Sequence, residues 1–214
     1  VMVQDTAWDG YEEIPSWIMQ GYGTMAMEAG EQLKEYGCER PTHIFVQAGV
    51  GSLAGAVVGY FSNLYADNPP VFVVVEAEAA ACLYKGAAAG DGQIRIVDGD
   101  METIMAGLAC GEPNTISWDI LKNHVKVFIA APDWVAATGM RMLGAPIKGD
   151  APVTSGESGA APFGALAAVM SMDEYADLRK DIGLDENSRV LLFSTEGDTD
   201  PDRYKNIVWK GLDK

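Results

Sequence analysis

His43-Ile44-Phe45-Val46-Gln47-Ala48-Gly49-Val50-Gly51-Ser52-Leu53-Ala54-Gly55 joins an apolar run to a glycine-bearing turn, then to an Ala/Gly-rich pattern of helical spacing. That order predicts a strand, a tight turn and a helix. Glycines let the backbone come close to a ligand, and the first turn of a helix carries N–H groups without intrahelical partners. Those donors, with the positive end of the helix dipole, suit a phosphate. On these residues alone three readings stay open. The turn could serve only close helix–sheet packing. It could hold a dinucleotide, with Glu76 at the end of the next apolar run placed to meet a ribose, although the spacing is Gly-x-Gly-x-x-x-Gly rather than G-x-G-x-x-G. Or it could cradle some other phosphate. A Walker-type site is ruled out because no Gly-Lys-Ser/Thr follows.

Outward from the turn, short apolar runs alternate with helical patterns. Candidate strands are His43–Ala48, Val71–Glu76, Gln93–Val97, Val127–Ala131 and Arg189–Ser194. Most are nearly continuous apolar runs, as expected of strands covered on both faces. Met25, Ala29, Leu33 and Tyr36 recur at helical spacing before Gly37. Leu53, Val57, Tyr60, Phe61 and Leu64 do so after the glycine turn, and Tyr175, Leu178 and Ile182 before Gly183. Asn68-Pro69-Pro70 and Gly149-Asp150-Ala151-Pro152 read as loops. The alternation predicts an α/β fold, a three-layer αβα arrangement with an open, mostly parallel sheet. Ligands of such sheets bind at the carboxyl ends of the strands. Gly49–Ser52 and Ser194–Asp200 both follow strands, so both are expected to border one crevice.

Composition narrows the partners. The 214 residues carry 31 Asp+Glu against 15 Lys+Arg, a formal charge of −16, which opposes nucleic acid and anionic membranes. An anionic ligand therefore needs a local backbone site. No apolar run reaches the roughly 18–20 residues of a membrane span and no secretory leader is visible, so a cytoplasmic protein is expected. Cys38, Cys82 and Cys110 form no C-x-x-C pair, and His43 and His124 lie far apart, which argues against a zinc site. The cysteines read as free thiols, with a Cys82–Cys110 disulfide as the alternative.

Two further polar, glycine-bearing turns stand at element boundaries: Thr154-Ser155-Gly156-Glu157-Ser158-Gly159-Ala160-Ala161 and Ser194-Thr195-Glu196-Gly197-Asp198-Thr199-Asp200-Pro201. Either alone is an ordinary cap or surface turn. Together with Gln47–Gly55, Gly21-Tyr22-Gly23-Thr24-Met25, Val3-Gln4-Asp5-Thr6-Ala7-Trp8 and Thr103-Ile104-Met105-Ala106-Gly107-Leu108-Ala109-Cys110-Gly111-Glu112-Pro113, they carry a resemblance. From Val1 to about Lys214 the chain resembles the pyridoxal-phosphate enzymes of the tryptophan-synthase-β fold (fold type II), and within them the diaminopropionate ammonia-lyases.

The resemblance implies pyridoxal 5'-phosphate as cofactor, its phosphate wrapped by backbone N–H groups of Ala48, Gly49, Val50, Gly51 and Ser52. Val50 departs from the family, where glycine is frequent, and backbone donation survives if its φ is negative. Ser194, or the adjacent Thr195, would lie by the pyridine nitrogen; a neutral hydroxyl there leaves that nitrogen largely unprotonated and favours β-elimination. Glu157 matches an acidic residue beside the cofactor, with a helix N-terminal charge as its alternative role. Asp5 matches a carboxylate near the substrate that could move a proton to or from Cα or the leaving amine. It stands where fraying is expected. The implied reaction is α,β-elimination of 2,3-diaminopropionate to pyruvate and ammonia, by a homodimer. The required Schiff-base lysine is missing: Lys34, Lys85, Lys122, Lys126, Lys148, Lys180, Lys205, Lys210 and Lys214 all stand in other contexts, mostly solvated surface. The chain is therefore expected to be the C-terminal portion of a longer enzyme, mainly its large cofactor-binding domain, and inactive alone. A noncatalytic nucleotide- or phosphate-binding module is the alternative.

Overall fold

The structure, a computed structural model, describes residues 3–213. Val1 and Met2, where the resemblance begins, and Lys214, expected on the surface, lie outside them. Four strands form one parallel sheet: β1 (His43–Gln47), β2 (Val71–Ala77), β3 (Val125–Ala131) and β4 (Val190–Leu192). Eight α-helices accompany them among the described residues: α1 (Glu13–Glu35), α2 (Ser52–Leu64), α3 (Cys82–Ala89), α4 (Thr115–His124), α5 (Asp133–Gly144), α6 (Glu157–Ser171), α7 (Ala176–Ile182) and α8 (Pro201–Val208). No helix among the described residues is long and apolar enough to cross a membrane.

The apolar run of β2 is continuous because both of its faces are covered. Phe72 and Val74 pack into one core with Ala26 of α1, Val57 and Phe61 of α2, Leu83 of α3 and Leu121 of α4. Val73 and Val75 pack into another with Met140 of α5, Ala161 of α6, Ile182 of α7 and Ile207 of α8. Helices α1–α4 therefore cover one face and α5–α8 the other, the expected three layers. The α1 helix runs into Gly37 and α7 into Gly183, as the spacing predicts. Asn68–Pro70 and Gly149–Pro152 are irregular.

One predicted strand is corrected. Gln93–Val97 is irregular, and the sheet has four strands rather than five. Ile94 and Ile96 mimic strand alternation but are 36% and 55% exposed, while Val97 is buried and gives its N–H to the Gly111 carbonyl. The segment pairs with the Gly111 loop and adds no strand to the sheet.

The strand order is β3-β2-β1-β4. The chain steps from β1 to β2 to β3, then returns to add β4 on the far side of β1. That reversal leaves a crevice beyond the carboxyl ends of β1 and β4, the position where doubly wound sheets bind ligands. Gln47 ends β1 and leads into the glycine turn; Phe193–Asp200 follows β4.

Candidate active site

A cavity of about 450 Å³ opens at that crevice, in the size range of small-molecule sites. Its wall includes Ala48–Leu53 from the glycine turn, Thr195 and Glu196 after β4, Ser158 at the start of α6, Gly107 and Cys110 from the loop before α4, Tyr22 from α1, and Asp5. The two post-strand segments do border one crevice.

The turn is shaped by close neighbours. Gly51 has φ +100° and stands immediately before α2. A Cβ there would lie 2.8 Å from Ser117 Oγ, and one at Gly49 would lie 3.2 Å from the Gly107 carbonyl oxygen. Val50 is not in the left-handed region, so its departure from glycine leaves the path of the loop intact. The N–H groups of Gly49, Gly51 and Ser52 have no hydrogen-bond partner among the described residues. The Ala48 N–H instead donates to the Val75 carbonyl at 2.9 Å, which extends the sheet, and the Val50 N–H faces the Cys110 sulfur.

Asp5 does not hang as a loose end. Its carbonyl accepts from Ser52 Oγ at 2.9 Å and from Asn114 Nδ2 at 2.5 Å. Asn114 is fully buried; it also donates to Ser52 Oγ, and its Oδ1 accepts from the Ile116 and Ser117 N–H groups at the start of α4. One side chain thus caps α4 and ties Asp5 to the glycine turn. The residues after Asp5 are packed: Ala7 is buried, and the Trp8 and Tyr11 rings stack with centroids 4.4 Å apart. Burial raises the Tyr22 phenol, and the nearby Asp5 charge raises it further, so it stays neutral.

The predicted residues do not all meet. Asp5, Ala48–Ser52 and Thr195 line the cavity; Ser194 and Glu157 do not. The Ser194 hydroxyl donates to Ser155 Oγ at 2.8 Å, and the residue faces a neighbouring groove beside α1. Glu157 is the first residue of α6 and pairs with Arg203 at 3.2 Å. Burial raises its carboxyl, the Glu196 charge adds to this and Arg203 opposes it. Cys38, Cys82 and Cys110 are free thiols. Sequence reasoning missed Gln47, Tyr22, Asn114, Ser158 and Glu196 as members of the site or its frame. Gln47 ends β1, and Asn114 and Ser158 stand at helix starts, positions that do not by themselves mark a site residue; Tyr22 lies inside α1, and Glu196 follows β4.

Glu76 is corrected. It is 1% exposed and accepts from the Leu83 N–H at 2.9 Å and the Tyr84 N–H at 2.6 Å, at the start of α3. A ribose cannot reach it, which removes the residue that favoured a dinucleotide. Burial pushes its carboxyl up to about 7, against the lowering effect of those N–H groups. A carboxyl raised on folding stabilises the fold fully below its unfolded value and loses that contribution as pH rises through its folded value. We expect Glu76 to remove about 3 kcal/mol of stability as pH rises from about 4.5 to beyond about 7. Urea unfolding of Glu76→Gln should show a shallower fall over that interval than the parent, and equal slopes would refute the assignment.

Comparison with known proteins places this geometry. The family model described as pyridoxal-phosphate dependent enzyme matches residues 6–196. Diaminopropionate ammonia-lyase of Salmonella typhimurium is 56% identical over 212 residues, covering 99% of this chain and 52% of that protein. The same enzyme of Escherichia coli K12 is 50% identical over 210 residues, covering 98% of this chain and 52% of that protein. The crystal structure of Escherichia coli diaminopropionate ammonia-lyase with an aminoacrylate-PLP azomethine intermediate superposes with a TM-score of 0.90 at 47% identity, covering 99% of this chain and 53% of that one. The chain spans about half the length of the relatives it matches.

Proposed function

Because the chain belongs to the pyridoxal-phosphate-dependent enzyme family, we propose that its cavity is the cofactor and substrate wall of an ammonia-lyase that eliminates ammonia from 2,3-diaminopropionate. The observation that carries this is the cradle at the β1/β4 crevice. Three N–H groups with no partner among the described residues, at Gly49, Gly51 and Ser52, stand within four consecutive positions leading into α2. Side chains at the two glycines would crowd the turn against Gly107 and Ser117. Backbone donors and a helix dipole suit a dianionic phosphate without a basic side chain, which fits the cofactor's phosphate and this acidic chain.

When bound, the cofactor withdraws electron density from the substrate α-carbon. The chain's own groups then have distinct tasks. Gly49, Gly51 and Ser52 hold the phosphate through their N–H groups. Thr195 accepts a hydrogen bond from the Gln47 amide at 3.0 Å, which leaves its own O–H to donate toward the cofactor ring. Ser194 sits one residue further from the cavity, so Thr195 is the better placed of the two. Asp5, fixed through its backbone, presents a carboxylate that can hold or move a proton at the substrate α-carbon or β-nitrogen. Glu157 acts through α6, as an N-terminal charge paired with Arg203.

No lysine lines the cavity among the described residues. With the half-length match to the relatives, this supports the reading that the Schiff-base lysine comes from polypeptide outside these 214 residues. On that reading the chain is the C-terminal portion of a cytoplasmic homodimeric enzyme. The test is pyruvate release from 2,3-diaminopropionate. The enzyme assembled with its lysine-bearing part should form pyruvate, and the 214-residue chain alone should form none. Turnover by the chain alone would refute the division of labour, and its absence from the assembled enzyme would refute the activity.

A further inference from the structure

Beside the donor cradle, the cavity wall carries a strip of acceptors. The Gln47 side-chain amide uses its NH2 on the Phe193 carbonyl at 2.9 Å and on Thr195 Oγ1 at 3.0 Å. A carbonyl can only accept, so the amide cannot be turned round, and its Oε1 is left buried without a partner. Next along the strip, the Glu196 Oε2 accepts from the Ser158 N–H at 2.6 Å and the Gly159 N–H at 3.4 Å. The α6 start, a natural anion site, is thereby already filled by the protein's own carboxylate. Ser158 is 7% exposed, and its hydroxyl has no partner. Gln47, Thr195, Glu196 and Ser158 all face the cavity.

Two of these atoms are buried and unpaired, and one of them, Gln47 Oε1, can only accept. Leaving such groups unsatisfied is costly, and a small shift of either side chain would bring its oxygen to a donor bound at Glu196. Charge agrees. Asp5 and Glu196 bring two carboxylates to the cavity, and no Lys, Arg or His lines it among the described residues. A phosphate in the cradle makes the cavity more negative still. An ammonium group offers three donors and a positive charge.

We propose that Glu196, with the flanking Ser158 and Gln47 acceptors, recognises the second ammonium of the substrate and so selects diamino acids over hydroxy amino acids. The proposal rests on the functional reading above: the α-amine of an amino acid is engaged with the cofactor, and the amine on the β-carbon is the group left to be read. Glu196 is held in place from behind by the α6 N–H groups, so it needs no reordering to receive that cation.

The test compares the holoenzyme with Glu196→Gln and Ser158→Ala. Gln keeps an oxygen for the α6 N–H groups, and Ala removes only the hydroxyl. In the parent, kcat/KM for 2,3-diaminopropionate should exceed that for serine. Glu196→Gln should lower the ratio of the two about 10- to 100-fold, the scale of a charge-assisted hydrogen bond, and Ser158→Ala should lower it less. The unreactive probe 3-aminopropionate, followed by titration calorimetry, should bind Glu196→Gln more weakly by a similar factor. An unchanged ratio with unchanged probe affinity overturns the role of Glu196. A parent enzyme that prefers serine overturns the functional reading itself, before any variant is made. Should Glu196→Gln fail to fold, an unchanged ratio in Ser158→Ala overturns the strip.

Discussion

Asn114→Ala should destabilise the protein by about 2–4 kcal/mol and disable the cavity at the same time. The stability effect has two parts. Asn114 Oδ1 accepts from the Ile116 and Ser117 N–H groups, both at 2.9 Å, and loss of such an N-cap costs about 1 kcal/mol. Its Nδ2 donates to the Asp5 carbonyl and, at 3.0 Å, to Ser52 Oγ, and both Asn114 and Ser52 are buried. Removing that donor leaves buried acceptors underused, at about 1–3 kcal/mol. The functional effect follows from the same bonds. Asp5 is held by contacts to its carbonyl, so without Asn114 its main chain keeps only the Ser52 hydroxyl. Asn114→Asp separates the two roles: a carboxylate still caps α4 but turns an acceptor toward the Asp5 carbonyl. It should lose activity with far less loss of α4. Urea unfolding, kcat/KM of the enzyme assembled with its lysine-bearing part, and amide exchange over residues 4–8 read the three parts. Equal loss of activity in Asn114→Asp and in a variant that only destabilises α4 would remove the claim that Asn114 positions Asp5.

The same residue shows where legibility in the sequence stops. The glycine turn could be read because its signal is local: an apolar strand, two glycines and a small-residue helix within a dozen positions. The doubly covered β2 could be read because burial on both faces leaves an unbroken apolar run. Gln93–Val97 misled because alternation of Ile94 and Ile96 states only that a segment is extended; whether a sheet edge meets it depends on the Gly111 loop. Asn114 could not be recognised as a hub, since its partners are at positions 5, 52 and 116–117. Gln47 and Ser158 were hidden for the same reason. Their unpaired atoms are defined by what Phe193, Thr195 and Glu196 leave over, and no spacing rule links residues that far apart. Glu76 shows the converse error. An acid at the end of a second strand fits a ribose contact by spacing alone, but three dimensions put the start of α3 on top of it.

The larger loss of cofactor binding is expected from Gly51→Ala. At φ +100° and ψ −2° the backbone of residue 51 lies in the left-handed region, where an L side chain costs about 1–2 kcal/mol. The new Cβ would also stand 2.8 Å from Ser117 Oγ, 3.2 Å from Leu121 Cδ1 and 3.3 Å from Leu83 Cδ1, and all three belong to packed helices. The turn must shift, and the Gly49, Gly51 and Ser52 N–H groups shift with it. On the proposed phosphate contact, losing one charge-assisted hydrogen bond lowers affinity about 10- to 100-fold, and a displaced turn would lose more than one. Fluorescence titration with pyridoxal phosphate should therefore show at least that weakening, with a fall in stability of about 2–4 kcal/mol. Two further variants divide the cause. Ser117→Ala in the same chain removes the nearest steric contact and should recover part of the stability, but it cannot relieve the positive φ, so affinity should stay low. Gly59→Ala, on the same helix with only Ile120 side-chain carbons beyond 3.6 Å, should leave affinity unchanged and raise stability slightly. Recovery of full affinity in the Gly51→Ala, Ser117→Ala pair would show that crowding alone governs the cradle, and that the left-handed turn at residue 51 is not what aims its donors at the phosphate.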